Sequence, residues 1–347
     1  MSEPSGVIDT PRERLLWLDA VKGIGIIAVV FGHVVNGPPA RYVYLWHMPL
    51  FFFLAGYVFR PEPDFRRCLR DRAVRLLLPY TLFLFLLSGH DFATTAQSGG
   101  LKDWALFVAT HLSGGKSVYG WLVAVWFITC LFLTQQAVNV ATVRLAPRAM
   151  ALLMGASLVL AYVNAVWFPR LWLPWAANVC LFAAPIFYLG SVYRRHEARI
   201  SPRLLAVAAA FAVLGMVLVG AQLIAVPDMK NTRYGTPSLS LGFALCLAVT
   251  LMAAARRWLN RGPLARALAA TGEASLVIMF LHMATQQVLL DVAGVQSDIA
   301  RIVLAVVLPM LIFNLLQRHA VTRALFLGSV KDFEALPSIA SRTTQNP

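Results

Sequence analysis

The segment LDAVKGIGIIAVVFGHVV, residues 18–35, sets Asp19, Lys22 and His33 in a run otherwise apolar enough to cross a membrane as a helix. A charged side chain in such a helix costs about 2.5–3.5 kcal/mol on insertion scales, so its presence points to function. Lys22 and His33 are 11 positions apart. At about 100° per residue that is roughly three whole turns, so the two share one face, about 16 Å apart along the axis. A cation and an imidazole on one face suit a polar ligand lying along it. Asp19, three residues before Lys22, is placed to pair with it and offset its insertion cost.

Further candidates follow along the chain. YLWHMPLFFFLAGYVFR puts His47 near the outer end of a second span, with Pro49 in the first helical turn, where its missing N–H costs little. A short connection makes spans one and two antiparallel, which brings His47 within reach of His33. The next loop, RPEPDFRRCLRDRAVRLLLPY, carries six arginines in 16 residues. Arg72 and Arg75 share a helical face there, and guanidinium forks match phosphate oxygens. Anionic lipid contact would also explain them. In TGEASLVIMFLHM, Glu273 falls in the first turn of a helix, and Ser275 and His282 are two turns apart on one face. His282 lies near mid-membrane. A core histidine bonded to a neighbouring helix is the plainer reading for it, as an interfacial histidine beside an aromatic belt is for His47. Trp126 and Phe127 could be packing alone.

The elements that must hold these residues are membrane helices. The chain is 59% hydrophobic and 13% charged, against about 45–50% and 25% in soluble domains. Apolar runs predict an all-α polytopic membrane protein with about ten spans, near 15–36, 42–59, 76–89, 119–143, 149–167, 174–193, 204–226, 238–255, 272–290 and 299–317. With the N-terminus inside, the inside segments hold 22 of the 30 Lys and Arg residues. The positive-inside rule therefore puts both termini in the cytoplasm. The net charge of +14 is thus topology and bilayer contact, and nucleic acid is not an expected partner. Asp19 and Lys22 interrupt the first apolar run, against a cleaved signal peptide. Cys68, Cys130, Cys180 and Cys246 favour neither a disulfide nor zinc, and no metal is expected. The expected organisation is a tail at 1–14, a transmembrane domain at 15–320 and a second tail at 321–347, both tails cytoplasmic and polar. The longest outside loop, about 90–118, is long enough to form a lid. Neither a repeat nor a clearly broken helix is evident.

Taken together, these segments resemble the acyltransferase-3 family of integral membrane O-acyltransferases, in the branch with fucose and exopolysaccharide acetylases. The resemblance covers roughly 12–320. It rests on Leu18, Asp19, Lys22, Gly23 and His33; on Phe52, Phe53, Ala55, Gly56 and Tyr57; on Arg72, Arg75, Pro79 and Tyr80; and on Gly272, Ser275 and His282. Trp126 with Phe127 is a weaker fifth match. Lys22 stands where Arg is commoner, and Ala55 where Ser is commoner. The resemblance implies transfer of an acyl group, most commonly acetyl, from cytoplasmic acyl-CoA to a sugar hydroxyl of a surface polysaccharide or lipid-linked glycan, in a bacterial inner membrane. Arg72, Arg75 and Lys22 would hold the CoA phosphates, with Asp19, Trp126 and Ser275 also lining the donor site. His33 would be the general base, as neutral imidazole suits near pH 7, or would carry the acyl group itself. His47, His282 or Ser275 would stabilise the oxyanion. Two other readings stay open: a transporter or flippase for a lipid-linked saccharide, and a structural partner in polysaccharide assembly. Acyl identity, acceptor and oligomeric state, including a homo-oligomer, are not set by the sequence.

Overall fold

The computed structural model describes residues 15–35 and 37–343. The expected tail at 1–14 and Asn36 of the first connection lie outside them. Among the described residues, seven helices are long and apolar enough to cross a bilayer, or nine spans if each of two bent pairs counts as one.

The first is α1 (Leu16–Val34). The span expected at 42–59 is not one helix. It is α2 (Pro38–Tyr44) and α3 (His47–Val58), separated where Trp46 leaves helical geometry at φ −131°. Pro49 explains the break: it has no N–H for the carbonyl four residues back, and its ring crowds that carbonyl. At 12 residues, α3 rises only about 18 Å, short of a roughly 30 Å hydrocarbon core.

Asp64 caps α4 (Phe65–Arg72), accepting from the backbone N–H groups of Arg66 at 2.9 Å and Arg67 at 3.2 Å. A π turn at Ala73–Leu77 joins it to α5 (Leu78–Leu87), where Pro79 again removes a donor. The expected lid contains α6 (Gly89–Ser98) and α7 (Leu101–Ser113). Then come α8 (Trp126–Arg144), α9 (Pro147–Trp167), α10 (Cys180–His196) and α11 (Pro202–Gly220). A two-residue hairpin, β1 (Pro227–Asp228) with β2 (Arg233–Tyr234), precedes α12 (Leu239–Trp258). The span expected at 272–290 is α14 (Ser275–Asp291), set at 76° to α13 (Pro263–Glu273). Ala274, at φ −79° and ψ −1°, makes that bend. The breaks at Trp46 and Ala274 correct the expectation of unbroken spans.

After α15 (Asp298–Leu316), the described part of the polar tail expected at 321–347 is helical, α16 (Ala320–Phe326) and α17 (Val330–Thr343), and residues 344–347 lie outside the described ones. Ala324 is fully buried, Phe326 meets Phe83 of α5 edge-on at 5.6 Å, and Arg323 pairs with Asp332 at 2.8 Å. Those contacts offset the entropy a tail would keep.

Burial sorts the bundle. In α1 72% of the apolar window is buried, in α11 17% and in α15 22%, so α1 is the hub and the other two present broad faces to lipid. The hub is fastened by glycine. A Cβ on Gly272 would lie 1.9 Å from the Asp19 carbonyl oxygen, and one on Gly23 2.0 Å from that of Leu268. Only hydrogen there lets α13 lie against α1 backbone to backbone. The contact sets Glu273 and Ser275 beside Asp19 and Lys22.

Candidate active site

Three cavities follow one another along α1. The first, about 390 Å³, is lined by His33, Tyr44, His47, Trp126, Asp228 and Lys230, among others. The second, about 370 Å³, is lined by Asp19, Lys22, Phe51, Phe127, Glu273 and Ser275, among others. Met279 lines both. The third, about 620 Å³, shares Asp19, Lys22 and Val58 with the second and adds Arg60, Arg194 and Arg256. The stripe read from spacing is therefore the wall of a chain of cavities, with Lys22 toward one end and His33 toward the other.

In the first cavity His33 is half-buried, and among the described residues its ring nitrogens have no hydrogen-bond partner. Its ring lies 5.3 Å from that of His282, which is fully buried behind it. His282 Nδ1–H donates to the carbonyls of Ile278 (2.9 Å) and Met279 (3.0 Å). A carbonyl can only accept, so in the neutral ring Nε2 carries a lone pair. That atom is buried and has no partner among the described residues. His47 is held likewise, Nδ1–H donating to the Val43 carbonyl at 2.8 Å. The break at Trp46 is what lets α2 supply that carbonyl and Tyr44, whose hydroxyl donates to the Gly32 carbonyl at 2.6 Å. As neutral rings, His47 and His282 are acceptors at Nε2, so neither stabilises an oxyanion unless protonated.

The cavity's N–H donors are elsewhere. Trp126 is one of its lining residues. Lys230, in the hairpin turn, donates to the Val118 carbonyl at 2.5 Å and sits 4.6 Å from the Tyr119 ring centre. Beside it Asp228 accepts from Asn231 Nδ2 at 2.8 Å, which fixes the turn. Burial pushes the Lys230 ammonium down to about 8. Between about 8 and the usual 10.5 the unfolded chain keeps this proton and the folded chain has lost it, so stability rises with pH across that window. Thermal unfolding in detergent is expected to show that rise in the wild type and not in Lys230→Met. Parallel curves would refute it.

In the second cavity Lys22 Nζ donates to Asp19 at 2.9 Å, the pairing expected from their spacing. Ser275 lines this cavity and not the first, so it is not brought to His33. Trp126 faces the first cavity and Phe127 the second. Arg72 lies over the Phe59 ring at 5.4 Å and Arg75 is exposed. Neither lines any of the three cavities.

Asp228, Lys230 and Tyr44 are not among the residues expected at the site, and Arg60, Arg194 and Arg256 were expected only to set topology. The one local signal is the polar run PDMKNTRYG between two apolar spans. Among the described residues no group of three or more His, Cys, Asp or Glu is arranged to hold a metal ion.

Comparison with known proteins gives this geometry a context. Over 136 residues, 35% of this chain and 37% of the relative, the sequence is 29% identical to nodulation protein NolL of Sinorhizobium fredii. Over 146 residues it is 27% identical to nodulation protein NolL of Mesorhizobium japonicum, covering 38% and 37%. The chain thus spans little more than a third of the curated relatives it matches. No solved structure matches. A family profile described as an acyltransferase domain matches residues 15–317, which takes in all three cavities and their linking residues, and the chain therefore belongs to the acyltransferase-3 family of membrane proteins.

Proposed function

We propose that the chain transfers an acyl group, acetyl foremost, from acyl-CoA on the cytoplasmic side to a sugar hydroxyl of a surface polysaccharide or lipid-linked glycan on the other. The observation that carries this is the run of three cavities from a cationic mouth, past Lys22, to a histidine-lined end. The excess of Lys and Arg at the Lys22 end supports an orientation with that end and both termini toward the cytoplasm, and the proposed membrane is a bacterial inner membrane. Acyl-CoA is the donor.

The roles follow from placement. The donor's arm lies in the second cavity, beside Lys22, Asp19 and Ser275, and spans the roughly 16 Å to His33. Met279 separates the thioester from the first cavity until transfer. His33 takes the proton from the acceptor hydroxyl as its oxygen attacks the thioester carbonyl. The bare Nε2 of His282 supports the imidazolium that forms. Trp126 and Lys230 supply the N–H donors for the oxyanion. The C–S bond breaks, and the CoA thiolate leaves with the proton His33 returns. His47, Asp228 and Lys230 face the acceptor. An acyl-histidine at His33, resolved by the same hydroxyl, uses the same groups.

Mass spectrometry of surface glycans tests this. Cells with the intact gene are expected to carry a fixed mass increment per modified sugar that a deletion strain lacks, and the increment names the acyl group. The break at Ala274 favours a second reading, transport of a lipid-linked saccharide, since transporters bind at broken helices. Unchanged acylation with altered glycan amount or location would select it.

A further inference from the structure

We propose that the third cavity is the site for the donor's nucleotide phosphates, held by Arg60, Arg194 and Arg256 and not by Arg72 and Arg75. This rests on the donor reading above. Four cations, Lys22, Arg60, Arg194 and Arg256, face this cavity against two carboxylates, Asp19 and Glu197. Its volume of about 620 Å³ suits a small-molecule site. It is a built site rather than loose surface charge. Tyr57 is buried, and its O–H donates to both Glu197 oxygens, at 2.9 and 3.1 Å. Glu197 pairs with Arg256 at 3.1 Å, and Arg194 donates to the Tyr57 carbonyl at 3.3 Å.

The two guanidinium groups lie over aromatic faces, Arg256 over Trp17 at 5.8 Å and Arg194 over Tyr57 at 5.9 Å. A guanidinium carries five N–H donors, so those of Arg194 and Arg256 not used on the Tyr57 carbonyl and Glu197 remain for phosphate oxygens, and the planar groups offer a surface to a nucleobase. The four segments involved, the start of α1, the end of α3, the end of α10 and the end of α12, meet only through the fold. The cavity then continues past Asp19 and Lys22 into the narrower, more apolar second one. A polyanionic head here with a thin, nearly neutral arm entering the second cavity is the ligand this shape takes. A phosphate head could also belong to an anionic lipid.

The test is binding by the purified full-length protein in detergent, read by calorimetry with CoA and with 3′,5′-adenosine diphosphate, which lacks the arm. Both are expected to bind the wild type competitively. Arg194→Gln and Arg256→Gln are expected to weaken both about tenfold, and Arg72→Gln and Arg75→Gln to leave both within twofold. Arg60→Gln serves if the paired arginines do not tolerate change, because Arg60 is exposed, and it too is expected to weaken both. Weakening confined to the Arg72 and Arg75 variants would overturn the site while leaving the donor reading intact. Absence of CoA binding by the wild type would overturn both. Phosphatidylglycerol that co-purifies with the wild type and is lost from Arg256→Gln, with CoA affinity unchanged, would assign the cavity to lipid and overturn the proposal.

Discussion

Replacing His33 by alanine is expected to lower acyl transfer by about 10²–10⁴-fold, the usual contribution of a positioned acid–base group. Donor affinity should stay within twofold, because the nucleotide end of the cavity chain is three helical turns away. The fold should also survive. His33 makes no hydrogen bond among the described residues and lines a cavity, so truncation leaves no orphaned partner. Single-turnover transfer with the purified protein, beside calorimetry with CoA, separates the two quantities. A loss of less than tenfold would remove His33 from the chemistry. An acyl group found on the peptide carrying His33 after quenching would make it the nucleophile.

The second large effect is structural. Gly272→Val is expected to destabilise the protein by about 3 kcal/mol or more, at or above the upper end for overpacking, because even the first carbon of the side chain would meet the Asp19 carbonyl oxygen at 1.9 Å. The obstacle is backbone, which has no rotamer to move aside. Helices α1 and α13 would have to part, carrying Lys22 away from Ser275. Gly155→Val is the control. A Cβ there has nothing within 4 Å, so its effect should be within about 0.5 kcal/mol. Thermal unfolding of the two variants side by side checks this, and equal losses would refute the close contact.

What was legible in the sequence was local. Asp19, Lys22 and His33 lie in one helix, so their common face follows from periodicity, and the Asp19–Lys22 pair with it. The break at Trp46 was carried by Pro49, but a proline in a first helical turn is also consistent with an unbroken approach. The bend at Ala274 has no residue signature at all. It is imposed by α13 lying against α1, which depends on two glycines 249 positions apart. Arg60, Arg194 and Arg256 were hidden for a different reason. Each stands in a basic run at or just beyond a helix end, of the kind that sets orientation, and only folding brings the three to one mouth. Lys230 and Asp228 were hidden because a turn of a few polar residues between spans looks like any connector.

Met279 has a further consequence. On the proposed reading the protein takes its donor on one side of an energised membrane and its acceptor on the other, and so risks becoming a wire. Each elementary charge that crosses dissipates about 2.3 kcal/mol per 100 mV of potential. The cavities on either side of Met279 stay distinct, and the side chain they share is an uncharged thioether. A neutral acyl group can pass such a wall by being released from one carrier and captured by another. A hydrated ion has no such exchange available, so on the proposed reading an internal donor can serve an external acceptor without an open ion path between the two sides.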